Sequence, residues 1–394
     1  MYPTQQLRRL ARIKNGSDHS QVQDDLGEFP VYGSGGEFAR ASRPLYSGPS
    51  VLLGRKGTID RPLLVDGEFW TVDTMFCAQP YATVNPTYLY YACTTIPFDL
   101  LSTSTALPSM TQGDLNAVRL PAPETETQRL IAEFLDRETA KIDALIDKQE
   151  QLIATLREDR AATISHAVTK GLNPDVEMKD SGAPWVGKVP AHWTLAKLKH
   201  GFSVTLGKMY QGEAKRPGDV ELPHLKAGSV TENGLNLADP MMCWFTPAEA
   251  RSLALRAGDV LVVEGGAIGR CAVLKEDLRG WGFQKSLNRV RALGNDSPQF
   301  LAYLIETATL SGHVSILCGK ATIPHFTAEK LAELEWPHPS IDEQKKIVDF
   351  LDSRCASIDA LINKSIEMIE TLREYRSALI TNAVTGKIDV REAV

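Results

Sequence analysis

This 394-residue chain has only six cysteines, and none of them are close neighbours. Zinc sites use closely spaced cysteine pairs, and disulfide-rich secreted proteins use a much higher cysteine content. Neither pattern is present, so we expect buried free thiols and no metal site. The cysteines are Cys77, Cys93, Cys243, Cys271, Cys318 and Cys355.

The sequence also lacks long apolar runs. No segment approaches the roughly 20 apolar residues that span a bilayer, and residues 1–10 lack the apolar core of a secretory signal. We therefore predict a cytoplasmic protein. The eight histidines form no pairs at the helical spacing of metal ligands, and no Walker loop for nucleotide binding is present.

A long internal repeat organises the chain. At a constant offset of 216 residues, 128–169 aligns without gaps on 344–385, and 23 of the 42 positions are identical. Upstream the match is weaker, but VLLGRKGTIDR (51–61) still aligns with VLVVEGGAIGR (260–270) at an offset of 209. A tandem of head, helix, head and helix is therefore predicted.

Both heads are predicted to be α+β, because short strand-like runs such as SVLLG and DVLVVE alternate with Gly-rich turns and short helices. The predicted segments are a first head (1–127), a first long helix (128–170), a linker with the second head (171–343), and a second long helix with a tail (344–394).

In both long helices, apolar residues recur at steps of four and three, which predicts a coiled-coil seam with polar interruptions at Glu138, Gln149, Arg354 and Ser365. Equivalent helices pair best about a local two-fold axis, so we expect an antiparallel, pseudo-two-fold coiled coil about 60 Å long that separates the heads. The seam residues are Ile131, Leu135, Ile142, Leu145, Leu152, Leu156, Ile347, Leu351, Ile358, Leu361, Met368 and Leu372.

Local signals mark the ends of the two helices. Thr125-Glu-Thr-Gln128 and Ser340-Ile-Asp-Glu343 predict capping boxes at their starts, and Gly171 and Gly386 predict their ends.

Three stretches resemble catalytic motifs but lack an essential part. Asn85-Pro-Thr-Tyr88 lacks the second proline of an amino-methyltransferase loop, and its repeat partner Ser297-Pro-Gln-Phe300 instead indicates a capped helix start. Gly33-Ser-Gly-Gly36 lacks the spacing of a dinucleotide fingerprint. The Glu-x-Lys of 175–179 lies in a Pro/Gly-rich linker that offers no scaffold for a metal. We predict no catalytic residues.

Charge alone does not decide the partner. The net charge is −6, but contact with DNA phosphates requires local positive potential rather than net charge. Loops rich in Arg, Lys, Ser and Thr suit phosphates and base edges, and the loop 55–58 aligns with the unlike sequence Glu264-Gly-Gly-Ala267. The candidate DNA-binding residues are Arg55, Lys56, Thr58, Ser104, Thr105, Lys226, Lys285, Arg289, Lys320, Thr322 and His325.

Taken together, these features resemble the specificity subunit of type I restriction–modification systems over nearly the whole chain. The resemblance is carried by VYGSGG (31–36), LLGRKGTID (52–60), the FLD…IDALI and TLRE…AVT blocks of the helices, the linker 168–193 and ELPHLKAGSVTENGL (221–235). One departure is that the first head begins without a counterpart of PWVGKVPAHW (184–193), so its N-terminal anchoring is unassigned.

That family implies two target-recognition domains, each reading one half of a bipartite double-stranded DNA target, and two helices that set the unread gap. It also implies two methyltransferase subunits and restriction–translocase subunits as partners. Those partners would hold the S-adenosylmethionine, ATP and magnesium, so this chain is expected to be non-catalytic and to bind no cofactor. The alternatives are an adaptor of another phage-defence system without restriction partners, a self-sufficient methyltransferase or nuclease, and a protein-interaction scaffold.

Overall fold

The computed structural model describes residues 1–101, 108–232, 234–319 and 324–390. The chain forms two compact units. The first unit comprises Met1–Gln151 and Lys364–Val394, and the second comprises Leu152–Asn363. Each unit therefore contains one head together with part of both long helices. Among the described residues, no helix is both long enough and apolar enough to cross a membrane.

The strands of the first unit are β1 (Thr4–Gln6), β2 (Ala11–Asn15), β3 (Phe29–Gly33), β4 (Gly36–Ala41), β5 (Tyr46–Ser47), β6 (Ser50–Gly54), β7 (Leu63–Val65), β8 (Glu68–Thr71), β9 (Met75–Pro80) and β10 (Arg119–Pro121). Its short helices are α1 (Pro86–Thr94), α2 (Phe98–Leu101) and α3 (Gln112–Ala117). The first long helix is α4 (Thr125–Lys170).

The strands of the second unit are β11 (Met178–Asp180), β12 (Lys188–Pro190), β13 (Thr194–Lys197), β14 (Phe202–Leu206), β15 (Val220–Leu225), β16 (Val230–Thr231), β17 (Gly234–Leu235), β18 (Met241–Phe245), β19 (Val260–Val263), β20 (Cys271–Val273), β21 (Gly282–Phe283), β22 (Leu287–Ala292) and β23 (Glu335–His338). Its short helices are α5 (Pro247–Ser252), α6 (Pro298–Leu310), α7 (His313–Cys318) and α8 (Ala328–Ala332). The second long helix is α9 (Ile341–Thr385).

The two heads repeat one sheet topology. An antiparallel four-stranded sheet has the order β2-β9-β6-β7 in the first head and β14-β22-β19-β20 in the second. A further sheet contains the parallel pair β3-β8 in the first head and the parallel pair β15-β21 in the second. The predicted α+β fold of both heads is confirmed.

Helices α1 and α6 begin as the sequence predicts. The Asn85 side chain accepts a hydrogen bond from the Tyr88 amide (2.9 Å), and the Ser297 side chain accepts one from the Phe300 amide (3.3 Å). A proline follows each cap, where its missing N–H is not needed. The Asn-Pro sequence is therefore a helix cap in this chain.

One predicted capping box is wrong. Helix α4 already begins at Thr125, and the Thr125 hydroxyl donates to the Thr83 carbonyl (2.9 Å) instead of capping the helix. The buried Gln128 side chain accepts from the Asn85 amide (2.9 Å), so it supports the start of α1. In α9, by contrast, the Ser340 hydroxyl accepts from the Glu343 amide (3.3 Å), as the capping prediction requires.

Both long helices end at the predicted glycines. Gly171 (φ +75°) and Gly386 (φ +72°) adopt the left-handed conformation that side chains disfavour. An aromatic ring also packs on each glycine. A Cβ on Gly171 would lie 3.3 Å from the Trp193 ring, and a Cβ on Gly386 would lie 2.8 Å from the Tyr2 ring. The start of each head thus packs against a helix end within the same unit, and Tyr2 anchors the N-terminus of the first head.

In the first unit, the two long helices run antiparallel. Asp143 of α4 accepts from Arg376 of α9 (2.8 Å), and Glu150, further along α4, pairs with the earlier residue Arg373 (3.3 Å). The second unit repeats the first ion pair at positions 216 residues away, where Arg160 pairs with Asp359 (3.3 Å). There the end of α4 (164–168) shares a core with the beginning of α9 (347–351), which is again the antiparallel order.

Part of the predicted helix seam is wrong. The predicted seam residues Leu145, Leu152, Leu361 and Met368 are between 44% and 51% exposed, whereas Ile153 and Ile369 are buried. A strict 3.5-residue repeat drifts by about 20° per heptad on a straight helix with 3.6 residues per turn. The buried stripe therefore moves to the following residue after Ile142 and Ile358. The structure buries six of the twelve predicted residues, all in the first half of each helix: Ile131, Leu135, Ile142, Ile347, Leu351 and Ile358.

All six cysteines are free, five of them are buried, and Cys271 is half-buried. Burial raises the pKa of the Cys77 thiol to about 11 and that of the Cys93 thiol to about 12. The prediction of buried free thiols is therefore confirmed for five of the six cysteines.

Candidate nucleic-acid interface

In the first head, the loop 55–58 directly follows β6. The Arg55 amide donates to the Thr74 carbonyl (2.8 Å), and the Met110 amide donates to the Arg55 carbonyl (3.0 Å). A Cβ on Gly54 would lie 2.3 Å from the Thr58 carbonyl oxygen, so the tight turn of this loop requires glycine at position 54. The backbone of Arg55 is therefore held from two sides.

In the second head, the loop 264–267 follows β19 and is held in the same way. The Glu264 amide donates to the Ser286 carbonyl (2.9 Å), and the Phe326 amide donates to the Glu264 carbonyl (2.8 Å). Ser286 and Phe326 are the repeat counterparts of Thr74 and Met110 at offsets of 212 and 216. We name 55–58 and 264–267 the frame loops.

The frame loops carry opposite charges, although the first residue of each is held by the same two backbone hydrogen bonds. Arg55 of the first head is replaced by Glu264 in the second. The Arg55 guanidinium donates to the carbonyl of Asp73 (3.3 Å), and the counterpart of Asp73 in the second head is Lys285. The first head thus has a cation, Arg55, next to the acidic residue Asp73, whereas the second head has an acid, Glu264, next to the basic residue Lys285.

The environment of Glu264 differs from that of a surface carboxylate. Burial raises its pKa above the usual range, and the neighbouring His325 and Lys285 oppose that shift. Nδ1 of His325 lies 4.0 Å from the carboxylate. A carboxylate in this position suits the amino group of cytosine, whereas the Arg55 guanidinium suits phosphate or guanine.

The structure brings most of the described candidate residues to the frame loops. Lys56 and Thr58 are exposed on the first loop. In the second head, Lys285 precedes Ser286, and the Ser286 hydroxyl accepts a hydrogen bond from the amide of Ala227 (3.1 Å), the residue after Lys226. His325 pairs with Gly265 of the loop in an isolated antiparallel β-bridge. Lys226 and Lys285 are both exposed, and Ser286 connects their segments to the loop 264–267 through its hydroxyl and its carbonyl.

Arg289 was predicted to contact DNA, and the structure contradicts that prediction. Its side chain is only 6% exposed, and its guanidinium donates to the carbonyls of Ser252 (3.0 Å) and Ala254 (2.9 Å). The neighbouring Arg291 is bound to Asp259 (2.6 Å). Residues 287–290 of β22 are all buried, so both faces of the strand are covered, and the Arg289 guanidinium makes its hydrogen bonds to backbone carbonyls inside the head.

Four candidates, Ser104, Thr105, Lys320 and Thr322, lie outside the described residues. Asp73 is not among the predicted residues, although its alignment with Lys285 at an offset of 212 indicates an exchange of charge at this position. In the described part of the chain, no group of three or more His, Cys, Asp or Glu side chains is placed to hold a metal ion.

Known proteins match this chain in both sequence and fold. Residues 5–154 and 243–371 match the type I restriction modification DNA specificity domain. The type I restriction enzyme MjaVIII specificity subunit of Methanocaldococcus jannaschii is 23% identical over 363 residues, which cover 86% of this chain and 76% of that protein. The EcoBI specificity subunit of Escherichia coli is 22% identical over 306 residues, which cover 73% of this chain and 62% of that protein.

Two solved structures share the fold. A chain from a study of complex assembly and conformational transition of the type I R-M system matches with a TM-score of 0.74 and 16% identity, and covers 98% of both chains. The HsdS subunit from Thermoanaerobacter tengcongensis matches with a TM-score of 0.51 and 16% identity, and covers 98% of this chain and 94% of that one. Because the specificity-domain match spans well over half of the sequence, the chain belongs to the type I restriction–modification DNA specificity family.

Proposed function

We propose that this chain is the DNA-recognition subunit of a type I restriction–modification complex and reads a bipartite double-stranded target, one half-site with each head. The observation that carries the proposal is the pair of frame loops. The first residue of each loop is held by the same pair of backbone hydrogen bonds, yet this residue is Arg55 in the first head and Glu264 in the second. A constant backbone frame with different side chains is what two heads need to read different base sequences.

The partners are part of the same proposal. Two methyltransferase subunits and restriction–translocase subunits would dock on this chain and supply S-adenosylmethionine, magnesium and ATP. Membership of the family supports this assignment, as does the fold shared with a chain from a study of type I complex assembly. The complex would act in the cytoplasm, where its DNA lies.

Methylome sequencing of a host that carries this chain with its partner subunits tests the proposal. We expect one methylated motif made of two short half-sites and a fixed unread gap. Methylation without a bipartite motif would contradict the proposal.

The non-catalytic role has a separate test. The purified chain is incubated with labelled S-adenosylmethionine and duplex DNA that carries the motif. We expect no transfer of the methyl group until methyltransferase subunits are added. Transfer to adenine by the chain alone would show that it is a self-sufficient methyltransferase.

We also propose that 128–170 and 344–394 act as spacers between the recognition segments 1–127 and 171–343. Insertion of one heptad after residue 150, with a matching heptad after residue 366, should alter the gap or abolish binding while both half-sites keep their sequences. Altered half-sites with an unchanged gap would contradict the spacer role.

A further inference from the structure

The loop 208–219 of the second head begins at the same structural point as the loop 17–28 of the first. Gly16 directly follows β2 and donates its amide to the Met75 carbonyl (3.0 Å), and Gly207 directly follows β14 and donates its amide to the Leu287 carbonyl (3.0 Å). A Cβ on Gly16 or Gly207 would lie 1.9 Å or 2.3 Å from a backbone oxygen of the neighbouring segment. Both heads thus require glycine at this position. The loops that follow the two glycines have unlike sequences.

The loop 208–219 adjoins the second frame loop. The Lys285 amide donates to the Lys208 carbonyl (2.8 Å), and the next residue, Ser286, accepts from the Glu264 amide (2.9 Å). Two backbone hydrogen bonds, made through the adjacent residues Lys285 and Ser286, therefore connect Lys208 to Glu264. Any duplex that contacts Glu264 and Lys285 lies within reach of the side chains that follow Lys208.

Internal hydrogen bonds order this loop. The Asp219 carboxylate accepts from the amides of Lys215 (2.9 Å) and Arg216 (3.1 Å). The Gln211 carbonyl accepts from the Trp244 amide (2.9 Å), and the Gln211 side chain donates to the Glu213 carbonyl (2.8 Å). An ordered loop loses less conformational entropy on binding than a flexible one.

The exposed side chains of the loop suit DNA. Met209 is 65% exposed and Tyr210 is 47% exposed, so both side chains present apolar surface to the solvent. The Tyr210 ring centroid lies 5.9 Å from that of the buried His224, which fixes the direction of the tyrosine. Lys215 and Arg216 of the same loop are also exposed, whereas Lys208 forms an ion pair with Glu249.

The corresponding loop of the first head has the opposite chemistry. The range 17–28 contains four acidic residues and no Lys or Arg, whereas 208–219 contains three basic and two acidic residues. Four exposed carboxylates repel DNA phosphates. The same point in the fold therefore leads to a negatively charged loop in one head and to a loop with a net positive charge in the other.

We propose that the loop 208–219 is an additional DNA-reading element found in the second head alone. Tyr210 and Met209 contact base edges, with thymine methyl groups as suitable partners, and Lys215 and Arg216 contact phosphates. This inference rests on the proposed function, because it requires the second head to read one half-site.

The test selects bound sequences from a randomised duplex library with the full-length chain in complex with its methyltransferase subunits. Tyr210→Ala should relax the preference at one or more positions of the second half-site by about tenfold or more and leave the first half-site unchanged. Lys215→Ala with Arg216→Ala should weaken binding to all sequences. Because each phosphate contact contributes about 0.9 to the slope of log affinity against log salt, that slope should fall by about two.

The acidic loop supplies the matched control. Asp25→Ala with Glu28→Ala should leave both half-sites unchanged and should not reduce the salt slope. Lys215→Arg with Arg216→Lys should restore the wild-type slope, and equal melting temperatures of all variants show that the heads remain folded.

Loss of the second half-site preference in Tyr210→Ala and a lower salt slope in the double variant support the reading loop. A wild-type motif and slope in both variants overturn it, as does a loss confined to the binding of methyltransferase subunits. These results differ from a failure of the proposed function, in which the wild-type complex itself selects no bipartite motif.

Discussion

The two frame loops are held by the same pair of backbone hydrogen bonds. The loop after β6 in the first head nevertheless presents Arg55, whereas the loop after β19 in the second head presents Glu264. The contacts that join the elements within each unit agree much better. Gln128 and Gln344 bind equivalent amides, and Asp143–Arg376 has its counterpart in Asp359–Arg160. The comparison separates framework residues, which the repeat keeps, from residues at the loop tips, which it exchanges.

The largest expected effect tests whether the two helix seams are equally important. Ile142→Ala and Ile358→Ala each remove a side chain that is at most 5% exposed. Each should lower the free energy of unfolding by about 2–5 kcal/mol, because burial is lost and a cavity remains. Denaturant unfolding monitored by hydrogen exchange assigns each loss to its own unit. A loss below about 1 kcal/mol in either variant would mean that the two seams are not equivalent.

The next effect concerns the two buried glutamines. The Gln128 side chain binds the Asn85 amide and the Pro123 carbonyl, and Gln344 binds the Ser297 amide and the Pro339 carbonyl. Replacement of either by Ala leaves buried groups unpaired and should cost about 1–3 kcal/mol of unfolding free energy.

Gln344→Ala should cost more than Gln128→Ala, because the Gln344 side chain also donates to Asp296 (2.9 Å). Thermal unfolding of the two variants and of wild type measures the difference. Equal losses would show that the Asp296 bond adds nothing.

The exchanged charges lead to a prediction about binding. Arg55→Glu should weaken recognition of the first half-site by about tenfold to a hundredfold, since a good bidentate contact gives about 1–3 kcal/mol of discrimination. Glu264→Arg should change the second half-site by a similar factor. Competition binding on duplexes with single-base changes measures both effects, and each variant should leave the other half-site unchanged.

Arg289→Ala is the control for that experiment. Its guanidinium is buried against backbone carbonyls, so its loss should lower the melting temperature and leave the base preferences of the remaining folded protein unchanged. Altered base preferences in this control, or a crossed effect of Arg55→Glu on the second half-site, would contradict the assignment of the frame loops to separate heads.

The sequence predicts the elements that depend on local rules. The caps at Asn85 and Ser297 and the helix ends at Gly171 and Gly386 follow from side-chain and backbone preferences within a few residues. The position of the frame loops follows from the repeat. The burial of Arg289 could not be predicted, because it depends on contacts with the carbonyls of Ser252 and Ala254, which lie 37 and 35 residues away in the sequence. The sequence also does not show that Gln128 is used by α1, because that contact joins positions 43 residues apart.

The smallest expected effect tests the corrected position of the seam. Leu145 and Leu361 are repeat counterparts that the heptad pattern places in the seam, but they are 48% and 51% exposed. Leu145→Ala and Leu361→Ala should therefore each change the free energy of unfolding by no more than about 0.5 kcal/mol, as for ordinary surface positions. Denaturant unfolding next to Ile142→Ala and Ile358→Ala gives the matched reference. If the leucine variants lost as much stability as the isoleucine variants, the helices would pair along the strict heptad stripe and the 3.6-residue stripe would be wrong in both units.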